Sequence, residues 1–256
     1  MIGRHGREGF VDTKSQPAED SKGTSILEGY AVPLIAPDGG GNFHGATGFL
    51  ARVLDRTYLV TAAHFPIGKS HPTPDWALWP STMSIGRPAQ GGKVVYTDLD
   101  LFTTGVFGQR VPVFQFLRHD DGRDLADILL FPCSNASRWS DVFSVIDAGP
   151  SAPCLLGEVL TLVGFPLDLD PWPQTEEVSG PFFGVNGQML EANLVPREGY
   201  SGCPVFGQDR QFVGMAIGTD TNDPPRARIV PRGMLRVAAV TVDGRLPSPR
   251  HVIQLW

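Results

Sequence analysis

Three short strings in this chain carry side chains able to move protons and form covalent bonds. Thr61 to His64 (TAAH) ends an apolar run, Ala126 to Phe131 (ADILLF) holds Asp127 near its start, and Gly199 to Val205 (GYSGCPV) surrounds Ser201. A serine hydroxyl is a weak nucleophile at neutral pH, and a neutral imidazole within hydrogen-bond reach can take its proton during attack. The imidazole then becomes positive, and a buried carboxylate on its other nitrogen holds tautomer and orientation. His64, Asp127 and Ser201 are the side chains that could fill these parts. Each string also has an ordinary reading. His64 could be a satisfied core histidine, Asp127 a solvated strand end, and the glycine-flanked serine a plain turn.

The elements that must position these residues are short strands. From Gly29, apolar and β-branched runs (YAVPLIA, ATGFLARVL, TYLVTAAHF) alternate with turn signals such as PDGGGN and LDR. Residues 66–95 contain five prolines in a stretch that predicts a long surface loop with one short strand. KVVYTDLDLFTTGVF, RVPVFQFL and DLADILLFP predict further strands. Residues 134–155, rich in Ser, Ala, Gly and Pro, predict a connection. After it GEVLTLVGFP, EVSGPFFGV, GQMLEANLV, SGCPVF, QFVGMAIG and ARIVP repeat the rhythm, and GMLRVAAVTV predicts a short helix or a last strand. Two blocks of about six strands fit two packed antiparallel β-barrels, one over about 28–135 and one over about 150–240, in an all-β chain. Residues 1–27 are polar and without period, and predict an extension ahead of the body.

On these strings the chain resembles the trypsin-like, chymotrypsin-fold serine peptidases, whose triad runs in the order His, Asp, Ser. Members typically show TAAHC, a DIALL-like strand and GDSGGP at these places. The bacterial intracellular and HtrA-like branch adds a strand of the kind represented here by Gly157 to Pro166 (GEVLTLVGFP). A V-G-I-x-S-G strand has its counterpart in Phe212 to Gly218, and a terminal A-I-P strand in Arg228 to Pro231. The resemblance spans about residues 28–240. It implies a double barrel with Ser201 as nucleophile, His64 as general base and Asp127 orienting it. Gly199 and Gly202 let the backbone turn sharply, so that the Gly199 and Ser201 N–H groups can meet a developing oxyanion. Asp127 is preferred over Asp124 because Ile128 to Phe131 then enter the barrel as an apolar strand. Counting from Asp124 would bury Asp127 unpaired. His44, His71, His119 and His251 lie in loop-like or terminal surroundings and read as surface residues.

Departures from the family pattern carry information too. Tyr200 stands where secreted trypsins have the aspartate that pairs with a freshly cut N-terminus, and no IVGG start exists. The resemblance then implies a protein active as made or switched by other means, with Tyr200 free to pack and hold the oxyanion loop. Cys203 replaces the second glycine after the serine and reads as a packing residue. Ile217 sits where many relatives carry a serine that bonds the catalytic Asp. By family register Val195 would lie at the base of the specificity pocket, with Ile217, Gly218 and Thr219 along one wall and Arg226 near the other. A small or apolar P1 residue is the simplest expectation. An acidic P1 is the alternative if Arg226 faces the pocket, against its plainer reading as a loop arginine.

Bulk properties exclude several classes. Three cysteines without CxxC spacing, Cys133, Cys154 and Cys203, argue against a disulfide framework or a zinc site. Neither metal nor organic cofactor is implied. Net charge is −6 with scattered basic residues, so nucleic acid and anionic membranes are poor partners. No apolar run approaches the roughly 18 residues that would span a bilayer. The polar N-terminus has no apolar signal segment, which predicts a cytoplasmic chain. The expected partner is a protein or peptide substrate, including the case of one dedicated protein. An α/β-hydrolase elbow needs Gly where Cys203 stands, and a different residue order. The remaining competitor is a protease-like scaffold without turnover.

Overall fold

The computed structural model describes residues 27–38, 40–68, 72–89, 93–118, 125–133, 137–150, 153–220 and 224–241. The N-terminal extension other than Leu27, together with Asp124, His71, His119 and His251, lies outside them.

The N-terminal half builds one sheet. Its strands are β1 (Val32–Pro37), β2 (Phe43–Val53), β3 (Arg56–Thr61), β4 (Thr82–Pro88) and β5 (Val94–Asp100). A side hairpin follows, β6 (Phe102–Thr104) with β7 (Arg110–Pro112), then β8 (Gln115–Arg118) and β9 (Leu125–Pro132). The sheet runs β5-β4-β1-β2-β3-β9-β8. A one-turn helix α1 (Ser137–Ser140) leads to β10 (Val145–Asp147), which adds to β2 in parallel and gives the sheet eight strands where six were expected. The expected connection at 134–155 therefore contains structure. Similarly, the proline-rich stretch 66–95 holds the full seven-residue β4, because Pro80 lies ahead of it and Pro88 at its last position.

The C-terminal half matches its expected six strands. They are β11 (Val159–Gly164), β12 (Glu176–Asn186), β13 (Met189–Ala192), β14 (Pro204–Phe206), β15 (Phe212–Thr219) and β16 (Ala227–Pro231). They close as β11-β12-β13-β16-β15-β14. Helix α2 (Arg232–Val240) takes the place of a last strand: Met234, Leu235, Val237 and Ala238 fall on one helical face and are buried.

Strand alternation sorts the apolar residues into three cores. On β9, Leu125, Leu129 and Phe131 face the interior of the first half, with Leu50 and Leu59. Ala126, Ile128 and Leu130 face the other way, joining Phe49, Val60, Phe212, Met215 and the α2 residues between the halves. Leu160, Leu162, Val205 and Ile229 fill the second barrel. A continuous apolar run such as ILLF is thus buried on both faces. Each large side chain so removed from water contributes roughly 1.5–3 kcal/mol. This central core fixes the seam on which the candidate residues meet.

Candidate active site

His64 leaves β3 after buried Ala62 and Ala63 and starts a 3-10 turn, Phe65–Ile67, with helical backbone angles (φ −69°, ψ −23°). Pro66 supplies a pre-set φ inside that turn. Asp127 lies on β9, two residues beyond the ladder pair Thr61–Leu129, and so comes level with the end of β3. Its carboxylate accepts two bonds from one residue: the His64 backbone N–H at 2.8 Å and the His64 Nδ1 at 2.6 Å. An ionised carboxylate only accepts, so Nδ1 carries the proton. In a neutral imidazole Nε2 is then bare, and it stands 2.8 Å from Ser201 Oγ, placed to accept that hydroxyl. The His64 and Asp127 side chains are 20% and 13% exposed, open enough for a ligand yet shielded from bulk water.

Ser201 comes from a turn that only glycines permit. Gly199 (φ +98°) and Gly202 (φ +86°) hold left-handed angles. A Cβ on Gly199 would sit 2.2 Å from the Phe165 carbonyl, and one on Gly202 2.2 Å from the Thr47 carbonyl. Each carbonyl along this turn has an inward partner. Glu198 C=O accepts from Leu167 N–H (3.0 Å), Tyr200 C=O from Cys203 N–H (2.9 Å), and Ser201 C=O from Thr47 N–H (3.1 Å). Gly199 C=O accepts the Thr47 hydroxyl at 2.8 Å. In a trans peptide the N–H points opposite the C=O. The Gly199 and Ser201 N–H groups, paired through their peptides to Glu198 and Tyr200 carbonyls, therefore point away from these inward partners. Neither has an acceptor among the described residues. Gly199 and Ser201 line the same cleft as His64.

No protein-family model and no curated protein matches the chain by sequence. Solved structures match it by fold. Deg5 is similar over 86% of this chain and 92% of its own, at 15% identity and a TM-score of 0.52. The MamO protease domain from Magnetospirillum magneticum is similar over 84% and 97%, at 16% identity and a TM-score of 0.51. The fold is the chymotrypsin-like double barrel. A serine endoprotease from Yersinia pestis matches 81% of this chain at 15% identity and a TM-score of 0.49, and the chain spans 60% of that protein's length. Identity this low speaks to architecture alone.

Within this double barrel the expected pocket residues divide. Ile217 and Thr219 line the cleft beside Ser201, with Gly218 between them on β15. Val195 and Arg226 do not line it, which corrects the register expected for both. Leu194 turns inward at 4% exposure and leaves Val195 outward at 51%. Arg226 is drawn elsewhere: its Nη1 pairs with buried Glu191 at 3.2 Å, and its guanidinium lies over the Phe183 ring. The arginine that lines the cleft is Arg228, opposite Gly218 in the β15–β16 ladder.

His44 is also corrected. It sits on β2 rather than in a surface loop, half-buried, with its ring against Phe65 and a ring nitrogen donating to the Phe65 carbonyl. It lines the cleft as well. Cys203 packs in the second-barrel core at 0% exposure, where burial pushes its thiol well above the usual range. Ile217 offers Asp127 no hydroxyl, and the His64 backbone N–H provides the carboxylate's second bond instead. Sequence reading missed Thr47 entirely. Its one signal was a hydroxyl flanked by small residues (GATG) inside an otherwise apolar strand.

Proposed function

We propose that this chain is a serine endopeptidase. The observation carrying the reading is the unbroken hydrogen-bonded line Asp127–His64–Ser201, joined across the two barrels beside two inward-braced peptide groups. Ser201 Oγ attacks the substrate carbonyl carbon while its proton passes to His64 Nε2. The carbonyl π pair moves onto oxygen, and that oxyanion takes the N–H bonds of Gly199 and Ser201, each contributing about 3–4 kcal/mol in such sites. The C–N bond then breaks as His64 returns the proton to the leaving amine. Water repeats the sequence on the acyl-enzyme, with His64 again as base and Ser201 as leaving group. Asp127 keeps Nδ1 protonated and stabilises the imidazolium. Assignment to internal peptide bonds follows from the family resemblance, and the substrate class is protein or peptide.

A serine-directed fluorophosphonate probe tests the reading. Labelling of the wild-type chain, lost in Ser201→Ala and strongly slowed in His64→Ala, is the expected result. A wild-type chain that neither labels nor cleaves a diverse peptide library would be a binding scaffold, and the enzyme reading would fall.

A further inference from the structure

Tyr200 lies between the two proposed oxyanion donors in sequence yet is fully buried, at 0% exposure. Its ring occupies the space over Gly164 of β11, where a Cβ would approach Tyr200 Cδ1 to 2.7 Å. Its hydroxyl donates to Glu176 Oε2 at 2.5 Å, at the first residue of β12. The same carboxylate oxygen takes one arm of the Arg197 guanidinium, whose other arm meets Asp168 at 2.6 Å. Arg197 returns to the turn through its carbonyl, which accepts the Tyr200 N–H at 3.2 Å. The start of the turn and its centre therefore converge on one carboxylate of a rigid barrel strand. The charges alternate, Asp168 and Glu176 around Arg197, and the Tyr200 hydroxyl adds a charge-assisted bond.

We propose that Tyr200 and Glu176 are positioning residues for the oxyanion site, with Arg197 securing Glu176; this rests on the protease reading above. The mechanical argument is direct. The peptide groups on either side of Tyr200 carry the Gly199 carbonyl and the Ser201 N–H. Moving the tyrosine rotates both, and a displacement near 1 Å can cost roughly 100-fold in rate. The tether is made within the chain and involves no new N-terminus, so it is complete in the uncleaved protein.

The test compares Tyr200→Phe, Glu176→Ala, Glu176→Gln and the Tyr200→Phe/Glu176→Ala double variant. Readouts are fluorophosphonate labelling rate, kcat and KM on a cleaved peptide, and the urea unfolding midpoint. Tyr200→Phe keeps the buried ring, so fold and KM should stay within about twofold while kcat and labelling fall roughly 10- to 100-fold. Glu176→Gln, which keeps an acceptor for the hydroxyl, should recover part of the loss seen in Glu176→Ala. The double variant should be no worse than the poorer single one, because both cut the same bond. A labelling rate for Tyr200→Phe equal to wild type overturns the tether alone. Losses that multiply in the double variant, or that track the unfolding midpoint with KM rising in step, also overturn it. A wild-type chain that does not label overturns the protease reading and, with it, any positioning role.

Discussion

Thr47 on β2 and Gly199 in the Ser201 turn, 152 residues apart, share a buried hydrogen bond of 2.8 Å from the threonine hydroxyl to the glycine carbonyl. The same hydroxyl accepts the Phe165 N–H at 2.9 Å, and the Thr47 N–H donates to the Ser201 carbonyl at 3.1 Å. One first-barrel residue thus braces both sides of Tyr200 in the second. Thr47→Val keeps the shape, removes the hydroxyl and strands the Phe165 N–H. The expected cost is about 1–3 kcal/mol in urea unfolding, with a larger proportional loss of Ser201 labelling. Thr47→Ser should restore most of both. Equal labelling in all three proteins would show the brace to be idle.

Gly199 and Gly187 both have left-handed backbone, but only Gly199 is crowded. A Cβ at Gly187 has nothing within 4 Å, whereas one at Gly199 meets the Phe165 carbonyl at 2.2 Å. Gly187→Ala should cost roughly 1 kcal/mol of stability and leave labelling intact. Gly199→Ala must displace the turn, and labelling should drop by about 100-fold or more. Matching labelling rates for the two variants would contradict the geometry.

The hydrogen bond from Tyr200, aided by Arg197, holds the Glu176 carboxyl below its ordinary range. A depressed carboxylate means that the unfolded chain binds the extra proton first as pH falls. The stabilisation is therefore complete above the unfolded value of about 4.3 and disappears as pH drops through the lower folded one. Unfolding midpoints of wild type and Glu176→Gln should differ most at neutral pH and converge in acid. A gap that stays constant from neutral to strongly acidic pH would rule out an ionised Glu176.

Arg228 lines the cleft from β16, and no hydrogen bond or ion pair engages its guanidinium among the described residues, in contrast to Arg226 and Arg197. Glu198 lines the cleft too, on the Ser201 turn. On a peptide library at low salt, Arg228→Ala should depress cleavage near Asp and Glu relative to neutral residues by about 10-fold, a one-unit charge effect that added salt weakens. Glu198→Gln should shift preference the opposite way. Identical cleavage profiles for both variants and wild type would remove charge selection by this cleft.

What could be read from sequence was local, and what could not was register. His64, Asp127 and Ser201 each sit in a string whose neighbours set the backbone: an apolar strand before the histidine, apolar residues after the aspartate, glycines around the serine. The strings GEVLTLVGFP, SGCPVF and ARIVP likewise announced the second barrel through their short-strand rhythm. Thr47 and Glu176 escaped because their importance arises only when distant strands bring them to the turn. Val195 turns outward because Leu194 beside it takes the inward place in the second-barrel core, an alternation that the family register did not reveal. Arg226 and Arg228 are both arginines, two positions apart around β16, and nothing local told which one Glu191 would claim. β10 was hidden by its length, three residues whose pairing depends wholly on the edge that β2 offers.

His64 is made 137 residues before Ser201. A ribosome that has released only the leading half has produced an imidazole and its carboxylate with no alcohol to act upon. The three side chains cannot meet until the turn that carries Ser201, in the trailing barrel, has been made. What the three side chains can do together, the leading half cannot do alone during synthesis.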